Sequence, residues 1–243
     1  MVMCKKQKKK PVRITKGEAL GRVNDMTTRL EEDVKSALWI EASMEAANAF
    51  VISDKDRPYH GAETYNAVAQ SMMLTLAVTV SRMFDKGRKL THPNKRDVAS
   101  IPLLIRLLRQ KRCKDALIER ARVWTPASME LESMHVRDCE KAIDRAIRAY
   151  HSLSTTGRGR HAIAKLKQLR DYRIAHHLMK VPDRKLPTYD NLFVLVDTAR
   201  DVMNAAILAV KGVDTSLKEF EKMHRKEADR FWEAALQGAT DKR

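Results

Sequence analysis

Apolar residues recur at helical spacing along most of the chain. A repeat of about 3.6 residues indicates amphipathic helices, whereas strands would show a strict alternation of apolar and polar positions. The pattern predicts helices over residues 15–50, 62–86, 101–124, 125–151, 160–180, 189–211 and 216–236, separated by breaks at Pro, Gly or polar residues. The sequence therefore predicts an all-α fold.

Two segments also predict how the helices pack. Residues 62–86 are apolar on most sides, which is typical of a helix at the centre of a bundle. The last helix carries Phe220, Phe231 and Trp232, which we expect to anchor it. The chain has no internal repeat, so residues 15–243 are predicted to form a single all-helical domain.

Residues 1–14 differ from the rest because they are basic and contain no acid. Such a run of like charges predicts a disordered basic tail. Two roles remain open for this tail, an arm that binds nucleic acid and an extension that only improves solubility.

Composition agrees with the helical pattern and adds a partner class. The chain has 243 residues with 8 Gly, 7 Pro and 5% aromatic residues, a mixture that favours helix over sheet. Its formal net charge of +16 suggests an anionic partner such as nucleic acid, nucleotide or an acidic membrane surface. A basic protein with no such partner is the alternative.

The cellular setting is predicted from cysteines and apolar runs. The three cysteines, Cys4, Cys113 and Cys139, lie far apart and form no paired motif, which favours a reducing compartment. No signal peptide is visible, and the longest apolar runs are too short to span a bilayer. We therefore expect a cytoplasmic, soluble protein with no membrane partner.

The helix over residues 160–180 departs from the ordinary pattern. Its apolar stripe contains Ala162, Ile163, Leu166, Leu169 and Ile174, yet the same arc continues with four cationic or titratable groups: Arg170, Arg173, His176 and His177. Lys167 and Asp171 fall on the other face. An unpaired charge on a core-facing surface is costly, so we expect these groups to meet a carboxylate, open into a cleft or lie between subunits.

A cationic cleft with imidazoles suits phosphodiester chemistry. Arginine binds phosphate oxygens, and histidine transfers protons near neutral pH. Between residues 155 and 180 there are seven Lys or Arg residues and one acid, Asp171. Other chemistries lack support, because the chain has no P-loop, no dinucleotide-binding glycine motif and no zinc-like spacing of Cys and His. No metal or cofactor is predicted.

The segment "LRDYRIAHH" resembles the R-x₄₋₆-H signature of the HEPN superfamily (higher eukaryotes and prokaryotes nucleotide-binding). "SRMFD", "LPTYDNLFVLVDTARDVMNA" and "EADRFWEAAL" are similar to its abortive-infection U-type (AbiU-like) branch. The resemblance covers most of the chain from about residue 30. It implies a HEPN-like antiparallel helical bundle with extra N- and C-terminal helices, which forms a homodimer around a composite groove.

The resemblance also implies a metal-independent endoribonuclease that cleaves RNA by attack of the ribose 2′-hydroxyl. In that reading Arg170 binds the scissile phosphate, and His176 or His177 is the catalytic imidazole. Substrate-binding residues would be Arg158, Arg160, Lys167, Asp171 and Arg173. The protein would be a toxin or anti-phage effector, with a possible cognate antitoxin or other regulatory protein as partner. The alternative is a catalytically inactive helical module that binds RNA or protein through the same groove.

A second match to the motif spacing occurs at Arg145 and His151. The match at residues 170–177 is favoured over it by the shared arc, the cationic flanks and the neighbouring family segments. We therefore interpret His151 as a residue at a helix end.

Overall fold

The computed structural model describes residues 14–53, 62–87, 92, 94, 96–125, 129–170 and 188–237. These residues form eight helices and no strand: α1 (Lys16–Ser53), α2 (Ala62–Met83), α3 (Ile101–Leu108), α4 (Lys111–Ala121), α5 (Met129–Thr155), α6 (Gly157–Leu169), α7 (Tyr189–Lys211) and α8 (Leu217–Gln237). The prediction of an all-α helical bundle is confirmed.

The central helix of the bundle is α7, not α2. Helix α7 packs against α1, α2, α5 and α6, and 11 of its 23 residues are buried. In α2 the buried residues, Leu76, Ala77, Thr79, Val80 and Met83, all lie in its C-terminal half. The expectation that the 62–86 segment is central was therefore wrong. Low charge made the segment look buried, whereas the side chains of Leu74 and Val78 are exposed.

The segment predicted as one helix over residues 101–124 is two helices. The backbone is extended at Gln110, between α3 and α4. The buried residues of α3 are centred on Leu104 and Leu108, and those of α4 are centred on Cys113 and Leu117. If α3 and α4 formed one straight helix, these two sets would lie on opposite sides of it, about 180° apart. The chain has to turn so that both sets reach the same core. A helix can therefore end where the apolar residues change to its opposite side, even without Pro or Gly at that point.

The first and last helices pack along each other. Trp232 of α8 is buried and donates its indole N–H to Ser43 Oγ at 3.0 Å, and Arg225 reaches Glu45 at 2.6 Å. Phe220 packs against the main core, as expected. Phe231 is 62% exposed, so its prediction as an anchor was wrong. It lies one residue from Trp232, and a helix turns about 100° per residue, so the two side chains cannot both face α1.

A tight corner joins α5 to α6. The Thr156 hydroxyl accepts a hydrogen bond from the Gly159 N–H at 3.1 Å and so caps the start of α6. Gly159 is buried, and a Cβ there would collide with the carbonyl group of Leu153. The first turn of α6 therefore lies directly against the last turn of α5. Helix α6 begins at Gly157, three residues before the predicted start near residue 160.

Several predictions lie outside the described residues. They concern residues 1–13 of the basic tail predicted over residues 1–14, and the end of the 160–180 helix before Pro182 and Pro187. Within the described ranges, no helix combines the length and apolar character needed to cross a membrane.

Candidate functional site

The C-terminal end of α6 places Arg170 at the edge of the core. Ala162, Leu166 and Leu169 of this helix are buried, as the helical wheel predicts. Arg170 follows directly, with its backbone N–H bonded to the carbonyl groups of Leu166 and Lys167. Because Arg170 continues the buried stripe, its side chain points toward neighbouring elements and is about half-buried.

The opposing wall is the turn that follows α2. Oδ1 of Asp85 accepts a hydrogen bond from the Gly87 N–H at 2.9 Å, and the Arg96 guanidinium donates to the Lys86 carbonyl oxygen. Gly87 has a φ of 69°, a left-handed conformation that glycine adopts readily. A Cβ at this position would lie 2.8 Å from Cδ of Arg96. The glycine thus allows the turn and the close approach of Arg96.

The two walls meet in one ion pair. Nη1 of Arg170 lies 3.6 Å from Oδ1 of Asp85, and both side chains keep about 40% of their surface exposed, 43% for Arg170 and 40% for Asp85. The prediction that a charge on this stripe would meet a carboxylate or open into a cleft is confirmed for Arg170, since both conditions hold. A partly exposed pair of this kind is weak enough for a strongly anionic ligand to compete for the arginine.

A cavity of about 440 Å³ lies between these walls. Among the described residues, four cationic ones line it, Arg170, Lys167, Lys86 and Arg96, together with one carboxylate, that of Asp85. The apolar part of the lining comes from Phe84, Ile163 and Leu166. Its volume is within the range of small-molecule sites and fits one or two nucleotide units more readily than a large folded ligand. The excess of positive charge favours a phosphate-bearing ligand.

Ser81 supplies an unused polar group at the same cavity. Its Oγ is buried and has no hydrogen-bond partner among the described residues. Buried hydroxyls are normally hydrogen-bonded, and an exception at a cavity is consistent with a partner supplied by a ligand or by water. Ser81 and Asp85 are four residues apart at the end of α2, so both groups face the cavity from one wall.

The predicted site residues separate into three groups. Arg170 and Lys167 line the cavity, so the expectation that Lys167 falls on the other face was wrong. Three residues apart on a helix, the two side chains are only about 60° apart. Arg158 and Arg160 are exposed at the opposite end of α6, and Arg160 lies about 15 Å from Arg170 along the helix axis. The remaining residues lie outside the described part of the chain: Asp171, Arg173, His176 and His177. Their roles stay predictions.

Sequence reasoning missed four cavity residues: Ser81, Asp85, Lys86 and Arg96. The "SRMFD" segment contains Ser81 and Asp85, but its resemblance to a family segment did not indicate which part of the chain these two residues would contact. Lys86 and Arg96 lie on turns whose positions depend on the packing of α2 against α6. Only the folded chain brings these residues to Arg170.

Two further groups bear on reactivity. The thiols of Cys113 and Cys139 are buried, and burial raises the pKa of each to about 11. They are therefore protonated near neutral pH and poor nucleophiles.

In the described ranges, no three His, Cys, Asp or Glu side chains are grouped so that they could hold a metal ion. The independence from metal stays a prediction.

Comparison with known families decides the assignment. The family model HEPN_AbiU2 (AbiU2) matches residues 22–231. The chain belongs to the AbiU2 family of HEPN proteins. No curated protein and no solved structure matches the chain.

The AbiU2 match includes both walls of the cavity. It contains the "SRMFD" segment of α2, Arg170 at the end of α6, and the two histidines that follow. The family resemblance inferred from these segments is confirmed. Membership is consistent with a ribonuclease or abortive-infection role.

Proposed function

We propose that this AbiU2 protein is a metal-independent endoribonuclease of the HEPN type. The observation that carries the proposal is the position of Arg170, half-buried at a cationic cavity and beside Asp85. Arg170 also begins the R-x₅-H segment that ends at His176. A phosphate-binding arginine followed at short range by imidazoles supplies charge stabilisation and proton transfer, which suits cleavage of a phosphodiester without a bound cofactor.

The proposed reaction is an internal transfer. An imidazole of the His176–His177 pair removes the proton from a ribose 2′-hydroxyl, and that oxygen attacks the adjacent phosphorus. The bond from phosphorus to the 5′-oxygen breaks, and the leaving oxygen receives a proton from a general acid. The products are a 2′,3′-cyclic phosphate and a 5′-hydroxyl. Arg170 stabilises the negative charge that develops on the phosphoryl oxygens.

The surrounding residues have supporting roles in this proposal. Lys167 and Arg173 neutralise neighbouring phosphates, and Arg158 and Arg160 contact RNA farther along α6. Asp171 is a polar neighbour of Arg170 in the motif. Asp85 orients the Arg170 guanidinium toward the phosphate, also when RNA is bound.

The biological role we propose is that of a toxin or anti-phage effector acting in the cytoplasm by abortive infection, controlled by a cognate antitoxin or another regulatory protein. We further propose a homodimer. The cationic part of the 160–180 helix in one subunit covers only part of a phosphate-binding groove, so a second subunit would complete the groove. The exposed face of α2 supports this, since residues 64–81 contain no charged side chain and end at Ser81 beside the cavity.

Incubation of RNA with the purified protein in EDTA tests the activity. We expect cleavage with 2′,3′-cyclic phosphate ends, and a loss of about 10²–10⁴-fold in rate for His176→Ala or His177→Ala, whichever is the catalytic imidazole. Arg170→Ala should also lose activity, whereas Arg145→Ala and His151→Ala should keep it at saturating RNA. Loss of activity in the 145 and 151 variants alone would show that the other Arg/His pair is the site.

A catalytically inactive module that binds RNA or protein through the same groove is the second candidate. The ion pair between Arg170 and Asp85 favours it, because a carboxylate already occupies part of the surface that a phosphate would need. The same assay separates the two candidates: RNA that is bound but remains intact in EDTA and in Mg²⁺ would support the binding module.

A further inference from the structure

The outer side of α5 carries a row of four cations: Arg137, Lys141, Arg145 and Arg148. All four side chains are exposed. Their spacing of four, four and three residues places them within an arc of about 80° and along about 16 Å of the helix. We call these four residues the α5 row. It lies opposite the buried side of α5, which is formed by Cys139, Ala142, Ile143 and Ala146.

Acids lie near the α5 row but form no ion pair with it among the described residues. No ion pair joins any of its four residues to a described residue, although many other cations of the bundle are paired. Asp144 lies on the same side of α5, but Lys114 of α4 approaches it at 3.4 Å. Asp138 and Glu140 lie at the margins of the arc. The row therefore presents four exposed cationic side chains that form no ion pair with a described carboxylate.

The first turn of α6 is electrostatically unfavourable as it stands. Arg158 and Arg160 lie at the positive end of the helix dipole, and no acid accompanies them in that turn. A bound anion would relieve this repulsion.

The corner between α5 and α6 holds these two features together. Thr156 caps α6, and the absence of a Cβ at Gly159 lets its first turn lie against Leu153 of α5. Arg158 and Arg160 therefore lie at the corner that follows the C-terminal end of α5. From this corner α6 leads to Arg170 at the cavity.

We propose that the α5 row, extended by Arg158 and Arg160, binds the phosphate backbone of RNA outside the cleavage cavity and without regard to base sequence. This inference rests on the proposed function, since RNA is the ligand in both. It also gives Arg145 a role in binding rather than in cleavage, despite its R-x₅-H spacing to His151. Cations on one exposed face, with no aromatic side chain among them, suit backbone contacts rather than base recognition.

The test measures binding separately from cleavage. The probe is a fluorescent oligonucleotide of about 20 nucleotides with 2′-O-methyl riboses, which lacks the attacking hydroxyl and cannot be cut by internal transfer. The variant is Lys141→Gln, Arg145→Gln and Arg148→Gln together. The matched control removes the same charge from exposed positions of α8, as Lys218→Gln, Lys226→Gln and Arg230→Gln. Circular dichroism confirms that each variant is folded.

We expect the α5 variant to bind the probe at least about tenfold more weakly at 0.1 M salt. In a plot of the logarithm of the association constant against the logarithm of the salt concentration, the steepness of the negative slope should decrease by about 2. The α8 control should bind like the unchanged protein. In cleavage of ordinary RNA, the α5 variant should show a KM raised at least about tenfold, because the lost contacts bind the substrate. Equal affinity and slope for the two variants would overturn the proposal, as would failure of the unchanged protein to bind the probe.

These outcomes remain distinct from those of the cleavage assay. If the protein binds the probe through the α5 row but cuts no RNA, the row is an RNA-binding surface and the ribonuclease proposal fails. If the α5 variant binds RNA normally but no longer binds an acidic protein, the row serves a protein partner and this inference is wrong.

Discussion

Nη1 of Arg170 lies 3.6 Å from Oδ1 of Asp85, and this pair joins the end of α6 to the turn after α2. The distance is longer than that of a charge-assisted hydrogen bond, so the carboxylate attracts the guanidinium without holding it tightly. We interpret Asp85 as a positioning residue for Arg170. It keeps the arginine at the cavity and lowers the net positive charge that an RNA phosphate meets.

Asp85→Asn tests this role. Asparagine keeps an oxygen that can accept the Gly87 N–H but removes the negative charge, so RNA binding should tighten. Cleavage at saturating RNA should fall by roughly 10–100-fold, because the guanidinium is no longer oriented. Steady-state kinetics would show KM and kcat decreasing together.

Asp33→Asn is the control for Asp85→Asn, since Asp33 pairs with Arg82 on the outside of α2 at 2.7 Å. It should leave both kinetic constants unchanged. An unchanged kcat in Asp85→Asn would show that Asp85 does not position Arg170.

The glycines at the α5–α6 corner give a matched stability test. Gly159→Ala places a methyl group against the Leu153 backbone, whereas Gly157→Ala, in the same turn, meets no atom within 4 Å. We expect Gly159→Ala to lower the free energy of unfolding by about 1–3 kcal/mol, as for an overpacked position. Gly157→Ala should be neutral or slightly stabilising, because it restricts the unfolded chain. Urea denaturation measures both, and equal effects would contradict the close contact at Gly159.

Glu41 makes stability depend on pH. Glu41 lies on α1, and only 7% of it is exposed. Its Oε2 has no hydrogen-bond partner among the described residues. Burial, aided by the carboxylates of Asp197, Glu45 and Glu221, raises the pKa of Glu41 from 4.5 to about 9, against the opposing effect of Arg200. Glu41 is therefore protonated in the folded protein near neutral pH.

The sign of the effect follows from this raised pKa. Below pH 4.5 the carboxyl is protonated in both states, and between pH 4.5 and 9 the unfolded chain releases a proton that the folded chain keeps. Stability should therefore fall as pH rises through this range, by at most about 1.4 kcal/mol per pH unit from this group. Glu41→Gln removes the contribution, so its advantage over the unchanged protein should grow between pH 5.5 and 8.5 in urea denaturation. A constant difference across these pH values would show that the pKa is not raised.

The exposed face of α2 predicts the dimer contact. Leu74 and Val78 are each 38% exposed on the uncharged part of this helix. Light scattering at micromolar concentration should give a mass near twice 27.8 kDa. Leu74→Glu with Val78→Glu should yield the monomer, since charge at the centre of an apolar contact is strongly unfavourable.

Exposed apolar residues elsewhere provide the control for the dimer. Val123 and Val213 are 73% and 55% exposed, and their replacement by Glu should leave the mass of the assembly unchanged. A monomer of the unchanged protein that still cleaves RNA would refute the dimer.

The sequence alone determined the helical class and most helix positions, because period and capping are local properties of the chain. Gly212 ends α7 with a φ of 70°, at the position where the sequence predicts it. The wheel also placed Arg170 on the buried stripe of its helix. The family followed from short segments whose residues are read directly, without knowledge of the fold.

Tertiary structure decided what each helix faces. The separation of α3 from α4, the exposed side of α2 and the exposure of Phe231 depend on which surfaces the other helices cover. The same applies to the cavity, since Asp85 and Arg170 belong to distant parts of the chain and meet only when α2 packs against α6. Helical periodicity fixes the side of a helix on which a residue lies, whereas its partner is fixed by the burial of apolar surface summed over the whole bundle.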